Sequence, residues 1–127
     1  DVGMDARALM QAARRHDAIA LPAHPGRFGI GLTDYIAKGE SFDDVEIVEL
    51  LNGGSRQGEN ERAEELCQSH NLFGIGGSDA HLTSHIATCM TDFSADIKTE
   101  NDLVTALLSK EFQPVWLEDI VDGARQS

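Results

Sequence analysis

The stretch Gly74-Ile-Gly-Gly-Ser-Asp-Ala-His81 is the part of the sequence that most strongly indicates the fold. It joins a short apolar strand, predicted over 72–77, to a carboxylate and an imidazole two residues apart. Side chains at i and i+2 of a strand point to the same face, so we expect Asp79 and His81 to converge as ligands of a hard cation or of zinc. The alternative is a turn in which Ser78 or Asp79 caps the following helix.

A second candidate strand end lies upstream, in Ile19-Ala-Leu-Pro-Ala-His-Pro-Gly-Arg27. The apolar run over 18–23 is predicted as a strand, and the proline that follows His24 favours extended backbone there. Because α/β folds place their chemistry at the carboxyl ends of strands, His24 is a candidate ligand, and an ordinary loop histidine is the alternative. Arg27 is a candidate clamp for an anionic substrate, and a surface arginine is its alternative.

Apolar periodicity predicts helices that alternate with short strands along the chain. Helices are predicted over 4–15, 32–38, 58–70 and from 99 onward, with strands over 18–23, 45–51, 72–77, 88–93 and 114–117. The tail after Glu118 is expected to fray or to form one further turn. This alternation favours an α/β fold with a mostly parallel sheet of four or five strands flanked by helices, in a single domain over 1–127.

Charge and composition narrow the classes of function. The 127 residues carry a formal net charge of −12 and no Lys/Arg cluster, which disfavours binding to nucleic acid or to anionic membranes. A small anionic substrate then requires metal ions to supply the positive field. No apolar run reaches the roughly 20 residues that a transmembrane helix needs.

The cysteines indicate the cellular compartment, and the first residues indicate whether the chain is a whole protein. Cys67 and Cys89 are predicted as buried free thiols, which fits a reducing cytoplasm. No signal peptide precedes the first helix. The chain opens on Asp1 without an initiator methionine, so we expect a trimmed or partial protein.

Other arrangements that carry chemistry have weaker support. His85 follows the Asp-Ala-His triplet within reach of the same site, whereas Cys67 and His70 share a helix without the second ligand pair of a zinc site. Glu46 and Glu49 are expected on opposite faces of one strand and so do not form a catalytic carboxylate pair. No serine lies in a nucleophile elbow, so covalent catalysis has no support.

Four segments together resemble the PHP superfamily, which is named after polymerase and histidinol phosphatase. They are Ala23-His-Pro-Gly-Arg27, Val48-Glu-Leu-Leu-Asn-Gly53, the stretch 60–66 and Gly74-Ile-Gly-Gly-Ser-Asp-Ala-His81. Members have a distorted seven-stranded (β/α) barrel with two or three zinc, manganese or iron ions at the C-terminal edge. Many hydrolyse phosphoesters by attack of a metal-bound hydroxide. The resemblance implies that His24, Asp79 and His81 are metal ligands and that Arg27 holds the phosphate of a small substrate.

The chain lacks the N-terminal metal ligands of the family, and this departure determines which functional hypotheses we consider. Members open with a His-x-His strand, further histidines and a bridging glutamate, and nothing in this chain corresponds to them. The chain therefore resembles the C-terminal half of a PHP barrel. We expect a metal-dependent phosphoesterase that is incomplete alone; the alternatives are a non-catalytic half-barrel binding or scaffold module and a fragment of a full-length enzyme. Half a barrel exposes strand edges, so we expect a homodimer or a missing N-terminal segment to cover them.

Overall fold

The computed structural model describes residues 5–126 of the chain, which form helices α1–α5, strands β1–β4 and one 3-10 turn. In chain order the elements are α1 Ala6–Arg15, α2 Leu32–Ala37, β1 Ile47–Asn52, α3 Glu59–His70, β2 Phe73–Gly77, the 3-10 turn Thr83–His85, β3 Cys89–Phe93, α4 Glu100–Ser109, β4 Phe112–Trp116 and α5 Leu117–Gln126.

The helices predicted from apolar periodicity are confirmed to within a few residues. The predicted start of α4 is a capping box, in which the Thr99 hydroxyl accepts from the Asp102 N–H at 3.1 Å and the Asp102 carboxylate accepts from the Thr99 N–H at 2.8 Å. α3 ends at His70, and the left-handed backbone of the next residue, Asn71 (φ 54°), stops the helix. The tail differs from the prediction, because it forms the 10-residue helix α5.

The predicted mostly parallel sheet of four or five strands is wrong. Within residues 5–126, β1 and β2 form one parallel pair, and β3 and β4 form a separate antiparallel pair. In a parallel sheet, a strand–helix–strand connection returns the chain to the start of the first strand, as in a βαβ unit. The connection through α4 instead returns it to the end of β3, where Phe93 pairs with Phe112.

A side chain separates the two pairs of strands. The Thr91 hydroxyl of β3 accepts from the Gly76 N–H at 3.0 Å and donates to the Gly76 carbonyl at 2.9 Å, so it occupies the edge of β2 that a further strand would use. A Cβ on Gly76 would overlap the carbonyl of Met90, which shows how closely the two backbones approach. The two backbones lie close together at this point without forming a ladder.

The predicted first strand over 18–23 is also wrong. The segment runs beside β1 and accepts one backbone hydrogen bond from it, from the Glu49 N–H to the Pro22 carbonyl at 3.0 Å. Pro22 has no N–H to return, so the ladder cannot continue through it. His24 then turns the chain with a positive φ of 33°.

The core lies between α3 and the parallel strand pair. Its buried members are Leu32, Val45, Val48, Leu66 and Cys67, and the side chains of Met10, Ile36, Phe42, Leu50 and Leu72 pack around them. Both cysteines are buried and free, as predicted. The core therefore supports the two strands whose carboxyl ends carry the candidate site.

Candidate functional site

The carboxyl ends of β1 and β2 meet at one edge, where Asn52 lies opposite Gly77. Asp79 follows this edge, and the loop over 24–31 approaches it from the other side. The two segments meet in an ion pair, with Arg27 Nη2 2.6 Å from Asp79 Oδ2. The side chains are only 26% and 23% exposed, so the fold, rather than solvent, surrounds most of this pair. Two residues 52 positions apart are thus joined at the edge predicted from the sequence.

The charge of Asp79 is stabilised from several directions. The Arg27 guanidinium donates a hydrogen bond that holds the pKa of Asp79 below its usual range, against the opposing effect of burial. The Asn52 amide and the neighbouring His81 lower this pKa further. Asp79 is therefore a carboxylate at neutral pH, already paired with a cationic side chain.

His24 lies in the loop that carries Arg27. Its backbone N–H donates to Glu49 Oε2 at 2.6 Å, which ties the loop to β1. Its Nδ1 is buried and has no hydrogen-bond partner among the described residues. A buried ring nitrogen without a hydrogen-bond partner can coordinate a metal ion or form a hydrogen bond with a water molecule.

His81 is exposed, and its Nδ1 lies 2.8 Å from the carbonyl oxygen of Asp79. A carbonyl can only accept, so Nδ1 is the donor in this contact, and in the neutral tautomer that makes it Nε2 is the nitrogen with the lone pair. This backbone contact is the arrangement that orients metal-ligating histidines. However, β2 ends at Gly77 and Asp79 has a φ of 48°, so strand alternation does not extend to these two residues.

The candidate ligands do not close a complete metal site by themselves. Across residues 5–126, no three His, Cys, Asp or Glu side chains are gathered so that they could hold one ion. The donor types of His24, Asp79 and His81 fit zinc, manganese or iron, and two ring nitrogens are available. The chain thus presents ligands of the right chemistry in an incomplete arrangement.

Sequence reasoning missed Glu49 and Asn52 as members of this site. The Asn52 amide donates from Nδ2 to Glu49 Oε2 at 3.0 Å, the same oxygen that accepts from the His24 N–H. Residues three apart on a regular strand face opposite sides, but the register of β1 shifts between Glu49 and Leu51. This bulge brings the two side chains together, and the position of Asn52 at a strand end was the signal that could have identified it.

The loop that carries Arg27 is held by the first turns of α3. The Glu59 carboxylate, only 2% exposed, accepts from the N–H groups of Phe28 at 3.2 Å and Arg56 at 2.9 Å. Arg62 donates to the Gly26 carbonyl at 2.7 Å, and its guanidinium lies 4.5 Å from the centroid of the Phe28 ring. These contacts fix the backbone on both sides of Arg27.

Two other histidines, His85 and His70, were weaker candidates in the sequence. His85 is exposed in the 3-10 turn. His70 Nδ1 lies 2.9 Å from Ser69 Oγ, and burial raises the pKa of the Cys67 thiol to about 11. Neither Cys67 nor His70 belongs to a metal-binding group among residues 5–126.

Comparison with known families adds one finding. Residues 57–112 match the family described as PHP-associated. We call the matched stretch the PHP-associated segment. The resemblance to the C-terminal region of PHP proteins is thereby confirmed for α3, β2, β3 and α4. The PHP-associated segment contains Asp79 and His81 but spans less than half of the 127-residue chain, and His24 and Arg27 lie outside it.

No curated protein and no solved structure matches the chain. Among residues 5–126, none of the helices has the length and apolar character needed to span a bilayer.

Proposed function

We propose that this chain contributes to a metal-dependent site for phosphoester hydrolysis of the PHP type. The observation that carries the proposal is the Arg27–Asp79 contact at the carboxyl edge of the parallel strands. It joins a group suited to phosphate and a group suited to a divalent cation at one place. The PHP-associated segment that contains Asp79 supports the same assignment.

Each side chain has a role in this proposal. Asp79, His81 through Nε2 and His24 through Nδ1 hold zinc, manganese or iron, and Arg27 holds and orients the phosphate of a small substrate. A bound cation would supply Lewis-acid stabilisation of the charge that develops on the phosphoryl oxygens. The acidic net charge of −12 favours a small substrate held by such a cation over a nucleic acid or an anionic membrane.

The ligand set needs completion from outside the described residues, because no three ligand side chains converge among them. We propose that a second copy of the chain or a preceding N-terminal segment supplies the missing ligands. Size-exclusion chromatography with light scattering separates the two. A dimer that strengthens with added manganese supports the first, and a monomer under both conditions contradicts it.

A non-catalytic binding module is the second candidate. The same ion pair favours it, because Asp79 already has a counterion in the protein and needs no metal for charge balance. In that case the edge is a stable structural element, and neither metal retention nor hydrolysis is expected.

Metal content per chain tests the two candidates. The protein is incubated with Mn²⁺ or Zn²⁺ and desalted, and the metal is measured by plasma mass spectrometry. About one ion per chain, lost in Asp79→Asn and retained in the exposed control Asp43→Asn, supports the metal site. A rate of p-nitrophenyl phosphate hydrolysis that rises and falls with the metal content of the variants supports the phosphoesterase assignment. Equal metal content in the wild type and Asp79→Asn would contradict the assignment of Asp79.

A further inference from the structure

The Arg27–Asp79 pair has a consequence that rests on the proposed function. Each partner neutralises the charge that the other would use for a ligand: Asp79 offers less negative charge to a cation, and Arg27 offers less positive charge to a phosphate. We propose that this pair couples the two ligands, so that a divalent cation on Asp79 releases Arg27 for phosphate, and phosphate on Arg27 releases Asp79 for the cation.

The exchange requires little movement of the backbone. The loop around Arg27 is held by Glu59 and Arg62, through bonds to the Phe28 N–H and the Gly26 carbonyl. Only the Arg27 side chain has to turn away, or to share its charge with an arriving anion.

Asp79 is held as firmly. Gly54 packs against it so closely that a Cβ there would lie 3.1 Å from Asp79 Oδ2. The Asn52 amide stabilises its charge from the same side. A cation that binds Asp79 therefore finds the carboxylate already in position. Its binding free energy is reduced by the loss of the Arg27–Asp79 contact.

Arg27 has unused hydrogen-bond donors for an anion. Among residues 5–126, its guanidinium makes one hydrogen bond, from Nη2 to Asp79. A guanidinium carries five N–H donors in a planar fork that matches phosphate. The negative charge of Asp79 beside it, in a chain of net charge −12, is what opposes phosphate binding. A cation on Asp79 removes that opposition.

Coupling of this kind is reciprocal. A cation that coordinates phosphate directly would also produce positive coupling, so coupling in the wild type does not by itself establish the exchange. Variants that remove one side chain of the pair are decisive. Without Arg27, Asp79 should bind the cation more tightly even when phosphate is absent, and without Asp79, Arg27 should bind phosphate more tightly even when the cation is absent.

Two binding measurements test the proposal. The first is the affinity for Mn²⁺ in phosphate-free buffer, measured by calorimetry. Arg27→Gln should bind Mn²⁺ about fivefold or more tightly than the wild type, at the lower end of typical coupling factors. Arg27→Lys, which keeps the positive charge, should remain near the wild type. Arg15→Gln, an exposed arginine in the last turn of α1, controls for the loss of one positive charge.

The second is the affinity for inorganic phosphate in the presence of a chelator, measured by ³¹P NMR titration. Asp79→Asn should bind phosphate about fivefold more tightly than the wild type, because Arg27 has lost its counterion. Asp43→Asn controls for the loss of one negative charge. Circular dichroism establishes that each variant is folded.

The outcomes separate this inference from the proposed function. If the wild type binds Mn²⁺ and Asp79→Asn does not, but neither variant gains affinity for the opposite ligand, the metal site stands and the exchange is wrong. If wild type and Arg27→Gln both fail to bind Mn²⁺, this chain holds no metal ion by itself and the cation half of the exchange is wrong; the phosphate titration in chelator then decides whether Asp79 blocks Arg27.

Discussion

Asn52 and Asn60 hydrogen-bond each other reciprocally between the end of β1 and the first turn of α3. The Asn52 N–H donates to Asn60 Oδ1 at 3.1 Å, and Asn60 Nδ2 donates to the Asn52 carbonyl at 3.2 Å. Asn52 is 1% exposed, so water cannot replace these bonds. The helix thus satisfies the backbone of the residue whose side chain supports the candidate site.

We expect Asn60→Ala to destabilise the fold by roughly 1 to 3 kcal/mol, because it leaves the buried Asn52 N–H without a partner, whereas the Asn52 carbonyl keeps the hydrogen bond from the Ser55 N–H. Urea unfolding followed by circular dichroism measures the change. Gln68→Ala, exposed on the same helix, is the control and should stay within about 0.5 kcal/mol of the wild type. Equal effects of the two substitutions would show that water satisfies Asn52.

Gly76→Ala and Gly123→Ala should have effects of opposite sign. A Cβ on Gly76 would overlap the Met90 carbonyl where β2 and β3 approach each other, so we expect a loss of about 1 to 3 kcal/mol. A Cβ on Gly123, within α5, meets nothing within 4 Å, and we expect a gain of roughly 0.5 to 1 kcal/mol from helix propensity. Thermal unfolding midpoints that fall for the first and rise for the second are the expected result. A neutral Gly76→Ala would mean that β2 and β3 pack less closely at this position.

Glu59 should make stability depend on pH in the acid range. The hydrogen bond from the Arg56 N–H, with a further one from Phe28, holds the pKa of Glu59 below its ordinary 4.5, although burial opposes this. A carboxylate with a lowered pKa contributes stability above its unfolded pKa and loses it as the pH falls through the folded value. Glu59→Gln should therefore destabilise the protein more at pH 7 than at pH 3.

Urea unfolding at several pH values between 3 and 7 measures this difference. Glu65→Gln, exposed on the same helix, controls for the loss of one negative charge. A gap between wild type and Glu59→Gln that stays constant over the range would show that the contribution of Glu59 does not depend on its ionisation.

The two cysteines should be unreactive in the folded protein. Burial raises the pKa of both thiols, to about 11 for Cys67, so at pH 8 only about one Cys67 in a thousand is a thiolate. Ellman's reagent should label neither thiol in native buffer and both in concentrated urea. Rapid labelling of one thiol without urea would mean that the core around it opens readily.

Local sequence patterns were enough to predict helices α1–α4. The amphipathic periodicity of α3 and the Thr99–Asp102 capping box act within a few residues of the chain, so they can be identified without tertiary structure. The same holds for the end of β2, where apolar residues give way to Ser78 and Asp79. The apolar run over 18–23 shows the limit of such patterns, because Pro22 interrupts the ladder that its composition favours.

The arrangement of the strands and the partners within the site depended on tertiary structure. The Thr91 hydroxyl occupies the edge of β2, and the return through α4 makes β4 antiparallel to β3; both depend on residues far apart in the sequence. The bulge in β1 likewise places Glu49 and Asn52 on one side against the alternation of a regular strand.

The sequence by itself determined that Asp79 follows the end of a short apolar strand, since this follows from composition and local periodicity. Only the tertiary structure decided that Arg27 and Asp79 meet, because a contact between residues 52 positions apart depends on how the intervening helix and strands pack.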